Sequence, residues 1–452
     1  MLNSIRECYP DYFLGCGNPL DDRLRQRRRF AVLFVASVFL LIYASFLPVK
    51  YQATTIASAI QAFEDLQWFD IQVYGRADWA ANMLVVLPLG WLGAAAIDWR
   101  RSSRRPLWIA IPPLAIFLCA VVVGIEFLQA WFPTRTQSLN DIFAGCLGAL
   151  FGPLIWLVSG RWTVQTVSRV FDKGELRERL WFAALLYVVA NLVFAVMPFD
   201  IVLNAEELQQ KYQLGRIEFL PEMNSVRGLV KPAALSVIRV IPLALLLCFA
   251  RGVRSAVILS IAFSILCEAV QIPVFTRTAS LFHVITSVAG VLLAVGIFRK
   301  KNAWIPILRR PAVWMLVGLL SAAALFGVIV FKSDRLIEDP IEISQRWQRF
   351  FGWPMAGYYY QAEFAALTTL VYKSLIFSWI GGCFGMAVAM SSRVARQISV
   401  SATILMIAIA ILVEVSQIYL SPHIPDAFDI CVYTATMLVA AKIVRSVQED
   451  KL

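Results

Sequence analysis

The sequence predicts an all-α integral membrane protein. Its twelve transmembrane helices fall into three parallel four-helix repeats, with amphipathic interfacial helices in the long outer loops. Three observations lead there. Of 452 residues, 59% are hydrophobic and 16% charged, at a mean hydropathy of +0.69, far more apolar than a soluble globular chain. Apolar runs of roughly 17–25 residues, the length a bilayer requires of a helix, recur twelve times. Three stretches also repeat one polar pattern: GIEFLQAWFPTRTQSLND (124–141), LCEAVQIPVFTRTASLFH (266–283) and LVEVSQIYLSPHIPDAFD (412–429). Their glutamates lie 142 and 146 residues apart, so the repeating unit is a whole domain.

The elements follow in chain order. Residues 1–29 form a basic cytoplasmic tail ending in Arg23, Arg25, Arg27, Arg28 and Arg29. The apolar run after it is too long for a signal-peptide core and lacks a small-residue cleavage site, which predicts an uncleaved first span. Spans are expected at 30–48, 77–97, 107–129 and 139–159, making a first repeat over 30–160. A second repeat, 180–300, holds spans at 180–198, 231–250, 254–272 and 280–298; a third, 311–446, holds 311–331, 367–390, 396–418 and 426–445. Basic linkers at 160–179 and 299–310 separate the repeats. The loop after each first span is the longest: 49–76, 199–230 and 332–366. Two of these carry amphipathic stretches, 56–69 and 341–353, that suit either the membrane interface or packing on the bundle.

A net charge of +11 invites a nucleic-acid partner, but most of the 41 Lys and Arg sit in the tail, alternate short loops and C-terminus. That asymmetry is the positive-inside pattern of a multi-pass membrane protein, which predicts cytoplasmic termini and no nucleic-acid partner. Basic residues on that side suit anionic headgroups. Six of the eight cysteines, Cys119, Cys146, Cys248, Cys267, Cys383 and Cys431, fall in or beside spans and read as small hydrophobes. Cys8 and Cys16 lack metal-ligand spacing, so neither a metal nor another cofactor is expected.

Counted from the Glu, each copy has Gln at +3, a basic residue at +9, Ser or Asp at +12, and Asp or His at +15. The first has Glu126, Gln129, Arg135, Ser138 and Asp141; the second Glu268, Gln271, Arg277, Ser280 and His283; the third Glu414, Gln417, His423, Asp426 and Asp429. Both histidines of the protein lie on this template. Glu and Gln three apart share a helix face, and charges inside a bilayer cost about 2.5–3.5 kcal/mol each on insertion scales. The groups should therefore turn inward and pair, Glu126 with Arg135 first of all. The second spans echo one another in NMLVVLPLG (82–90), SVIRVIPLA (236–244) and KSLIFSWIG (373–381), aligning Asn82, Ser236 and Lys373. Pro88 and Pro242 there are expected to kink or locally unwind their helices.

Plainer readings stand beside the functional ones. Residues at +12 are cap-competent, so Ser138, Ser280 and Asp426 can be helix N-caps alone. Arg239 is a partner for Glu268 or a snorkelling side chain. The glycines Gly145, Gly148 and Gly152 permit close helix contact, a common feature of spans. The first repeat holds the fullest polar set, adding Asp78 and Asn82 at i, i+4; if one copy is active, it is the first.

DWAANMLVVLPLGWL followed by GIEFLQAWFPTRTQSLNDIFAGCLGALFG resembles the VanZ-like family of bacterial membrane proteins. The residues matching its pattern are Asp78, Asn82, Pro88, Gly90, Glu126, Gln129, Arg135, Ser138, Asp141 and Gly148. The chain departs from that pattern in having Ala144-Gly145 where an Asn is often found, and an extra Thr136-Gln137 before Ser138. The resemblance is strong over 77–152, and three tandem copies exceed the usual single domain. It implies a cell-envelope role: the founding member is associated with teicoplanin resistance, and relatives occur near surface-polysaccharide genes.

The first functional expectation is binding or handling of a phosphate-bearing lipid or lipid-linked glycan at the outer leaflet, with envelope polysaccharide machinery as a further partner. Arg135 and Arg277 would grip phosphate bidentately, helped by the helix N-termini at 138, 280 and 426. A second is a membrane-embedded hydrolase or transferase, with Glu126 or Asp141 as acid–base and Ser138 or water as nucleophile. A third is a flippase or transporter using Glu126, Glu268 and Glu414 as proton sites, although clustering at one end rather than the midplane counts against it. A fourth is a scaffold whose polar groups serve packing.

Overall fold

The computed structural model describes residues 19–68, 71–73, 75–98, 105–168, 175–219, 226–359, 363–391 and 395–449. Most of the basic tail, with Cys8 and Cys16, and residues 169–174 of the first linker lie outside the described residues. The chain divides into two compact units, one of residues 1–46 and 50–173 and the other of 47–49 and 174–452.

The first unit contains α1 (Pro19–Ser45), α2 (Ile56–Glu64), α3 (Gly75–Asp98), α4 (Arg105–Leu128) and α5 (Leu139–Ser168). A single 3-10 turn, Gln129–Trp131, extends α4. The second unit begins with α6 (Leu176–Val196), α7 (Ala205–Gln213), β1 (217–218), α8 (Val226–Arg251), α9 (Val253–Gln271), β2 (279–280) and α10 (Leu281–Arg299). It continues with α11 (Lys301–Leu308), α12 (Pro311–Phe331), β3 (335–336), α13 (Pro340–Phe350), α14 (Ala356–Tyr359), α15 (Glu363–Ala389), α16 (Ala395–Ile418), β4 (420–421) and α17 (Ala427–Glu449).

Twelve helices among the described residues are long and apolar enough to cross a membrane, each within about one turn of its expected limits. Large apolar side chains such as Ile109, Val158, Leu292 and Phe331 remain exposed along them, as surfaces meant for lipid would. Helices α3 and α8 run through Pro88 and Pro242 without losing helical structure, so the expected unwinding does not occur. The stretches at 56–69 and 341–353 form α2 and α13, and the second long loop, 199–230, contributes α7. The second linker carries α11.

Second and fourth spans make the closest approach in each four-span set, and glycine permits it. A Cβ on Gly152 would come within 2.2 Å of Leu87 O, and one on Gly148 within 2.3 Å of Met83 O. Gly290 plays this part between α10 and α8, while Gly381 and Gly385 of α15 do so against α17. In the third set the glycine has moved to the other helix, but the contact is kept. Beside each seam lies an apolar core: Val86, Leu118 and Trp156; Leu243, Phe263 and Val295; Phe377, Phe384 and Met437.

Four two-residue strands tie long loops to the turn between third and fourth spans. β1 pairs parallel with β2, and β3 antiparallel with β4. In the first set, the Gln52 amide does similar work, donating to Trp131 O at 2.9 Å.

Candidate functional site

The polar pattern gathers where each third span hands over to the fourth. Three times, the glutamate accepts the backbone N–H of the +12 residue. Ser138 donates to Glu126 Oε2 at 3.1 Å, Ser280 to Glu268 Oε2 at 3.0 Å and Asp426 to Glu414 Oε2 at 3.2 Å. The +12 side chain then caps the fourth helix: Ser138 Oγ accepts from Asn140 N, Ser280 Oγ from Phe282 N and Asp426 Oδ1 from Phe428 N. Glutamate and cap together satisfy helix-start N–H groups that lipid could not serve. Ser138 is buried with its oxygen in this cap, a poor position for a nucleophile.

The basic residue at +9 closes a different helix. Arg135 Nη2 donates to Ala44 O at 2.9 Å, near the end of α1. Arg277 donates from Nε to Met197 O and from Nη2 to Phe194 O, and lies over the Phe194 ring, at the end of α6. His423 Nε2 lies 3.2 Å from Ile329 O, near the end of α12. Cationic donors at a helix C-terminus satisfy orphan carbonyls and complement the dipole. The bidentate Glu126–Arg135 couple is thus replaced by two separate attachments: the acid goes to the fourth span and the guanidinium to the first. Arg277, expected as a phosphate ligand, has committed two of its donor nitrogens to backbone. Burial lowers its pKa from the ordinary arginine value.

At +15 the copies diverge. Asp141 Oδ1 accepts from Asn82 Nδ2 at 2.7 Å. Asp429 binds the Lys373 ammonium through Oδ2 and the Tyr358 hydroxyl through Oδ1, at 2.7 Å for the latter. His283 Nδ1 lies 3.3 Å from Glu268 Oε2, and Arg239 Nη2 sits 3.3 Å from Glu268 Oε1, the partnership expected of Arg239. Ser236, aligned with Asn82 and Lys373, turns back to Pro232 O. Glu414 also accepts from Gln417 Nε2 at 3.0 Å and from Tyr433 OH at 2.5 Å. Gln129 instead donates to Ser45 O at 3.3 Å, and Gln271 presents its backbone carbonyl to Lys211.

Two cations from the long loops were not singled out from sequence. Lys211 of α7 is fully buried and donates to Gln271 O, Ile272 O and Val274 O at 2.7, 2.8 and 2.5 Å. Arg346 of α13 reaches Gln417 O, Ile418 O, Leu420 O and His423 O. Each stands seven residues past its helix N-cap, Asn204 or Asp339, and that shared offset was the available signal. Burial outweighs nearby Asp200 and lowers the Lys211 amine to about 8. Burial likewise lowers Arg346 and raises Asp200. Ala62 holds the corresponding place in α2, where Thr54 Oγ1 instead serves Ala130 O.

Openness separates the copies. Asp429 is 1% exposed and Glu414 0%, whereas Asp141 and Asn82 are half-buried and Asp78 is exposed. Asp141 lies within electrostatic reach of both Asp78 and Glu126.

Fold and site thus define a class: a polytopic membrane protein whose polar groups converge at one end of its helical bundles. The family model described as VanZ/LLP1 matches residues 30–160, so that part of the chain is similar to a VanZ-like domain. No curated protein and no solved structure matches the chain.

Proposed function

We propose that this VanZ-like membrane protein binds the headgroup of an envelope lipid or lipid-linked glycan, at the outer leaflet, through the polar cluster of its first repeat. The observation that carries this reading is the contrast in closure. The third cluster is sealed by its own side chains, while the first keeps the same acid at +15 half-buried and adds an exposed acid, Asp78. Carboxylates at a bilayer boundary are costly unless paired or occupied, and a headgroup arriving sideways from the leaflet can reach this mouth. Phosphate is no longer the group expected to enter, because Asp78, Glu126 and Asp141 would repel it. A headgroup phosphate would remain outside the carboxylates. The second and third repeats then act as scaffold, their clusters consumed by helix closure.

The test is lipid identification by mass spectrometry on purified protein, wild type against Asp141→Asn. Loss of one abundant headgroup class in the variant, with thermal stability retained, is the expected result. An unchanged lipid profile would contradict the reading.

A further inference from the structure

We propose that the ligand's entering group is a protonated amine: a primary ammonium seated on Asp141 as the Lys373 Nζ sits on Asp429 in the third repeat, with Asp78 and Glu126 within electrostatic reach of Asp141. This deepens the headgroup reading and rests on it.

The third repeat serves as an internal comparison. There the +15 acid, Asp429, divides its oxygens between a neutral donor, Tyr358 OH on Oδ1, and a primary ammonium, Lys373 Nζ on Oδ2. In the first repeat Asp141 Oδ1 already has its neutral donor, Asn82 Nδ2. Its Oδ2 accepts from no group among the described residues. The ammonium-bearing lysine of the third repeat has become Asn82 at the aligned position, which shortens the side chain and removes its charge. The second repeat also supplies its own cation, because Glu268 carries Arg239 and lies beside His283. The first repeat keeps both acids; Arg135 lies within electrostatic reach of Glu126, but among the described residues no cation of α3 bonds to Asp141 or Glu126.

Two further observations agree. Asp78 occurs only in the first repeat, since the aligned positions are Pro232 and Thr369, and it is exposed at the start of α3 where a ligand would enter. Among the described residues no three of these side chains converge as ligands of a metal ion would. An ammonium presents three donors and forms charge-assisted bonds to carboxylate oxygens singly, without demanding that convergence.

The full chain in detergent would be titrated by native mass spectrometry with three lipids of matched acyl chains: phosphatidylethanolamine, phosphatidylcholine and phosphatidylglycerol. Free ethanolamine forms a fourth arm. The expected result is at least tenfold tighter binding of phosphatidylethanolamine than of the other two, lost in both Asn82→Lys and Asp141→Asn. Asn82→Lys installs the ammonium of the third repeat, so self-occupation should abolish the preference even if Asp141→Asn fails to fold. Equal binding of all three lipids, abolished by Asn82→Lys, would overturn the amine but leave the headgroup reading intact. Binding indifferent to both variants would overturn both. Saturation by free ethanolamine at the lipid's own concentrations would identify a soluble amine and overturn the lipid.

Discussion

At the residue scale, the glutamate, the basic residue at +9 and the Ser or Asp at +12 each have a backbone task in all three copies, one that residue identity alone did not fix. Residue types and spacing were legible in the sequence; partners were not, because a carboxylate three turns from an arginine can reach several donors. Ser280 was legible as a cap, and its hydroxyl does accept from Phe282 N. Ser280→Ala should lower stability by about 1 kcal/mol, read as a reduced Tm in detergent. Lys211 was hidden because a single lysine in a polar loop helix looks like solvated surface. Lys211→Met would leave three carbonyls without their donor and should cost about 1–3 kcal/mol for each left unserved. Its pH dependence has a definite sign. The folded protein releases this proton near 8, whereas the unfolded chain holds it to about 10.4. Between those values the unfolded state binds more protons, so the residue's contribution to stability rises with pH across that window. The Tm of wild type relative to Lys211→Met should therefore increase from pH 8 to pH 10; a flat difference would contradict the buried-amine assignment.

At the element scale, long apolar runs made the spans readable, since nothing else satisfies a backbone in lipid. The two-residue strands were not readable, for they carry no periodicity. Glycines marked close contact without naming the partner helix. Gly152 meets the backbone of α3, where even a methyl group would overlap Leu87 O. Gly152→Leu should separate α3 from α5, lowering Tm by several degrees and displacing Asp141 from Asn82. Gly296, which has nothing within 4 Å, should accept the same change with little effect. Equal losses at both positions would contradict the close contact with α3 as the reason for Gly152, since helix propensity alone favours Leu over Gly.

At the scale of the whole molecule, threefold repetition allows one copy to be open while others spend their polar groups on closure. Repetition was visible in the sequence, but closure was not. It depends on Lys373, which the second-span echo aligned without showing its partner, and on Tyr358 and Tyr433, which lie outside the repeated pattern. Charge asymmetry also predicts orientation. Single cysteines at Asn204 and Asp339, on a cysteine-free background, should react with a membrane-impermeant maleimide added to intact cells. Protection of both until lysis would reverse the topology and move the binding site to the other leaflet.

The most direct measurement is a density map of the full chain reconstituted with an amine-headed lipid. Headgroup density should bridge Asp78 and Asp141 in the first repeat, with none at Asp429 or Glu268. Density at Arg277, or equal density in all three repeats, would contradict a single open site.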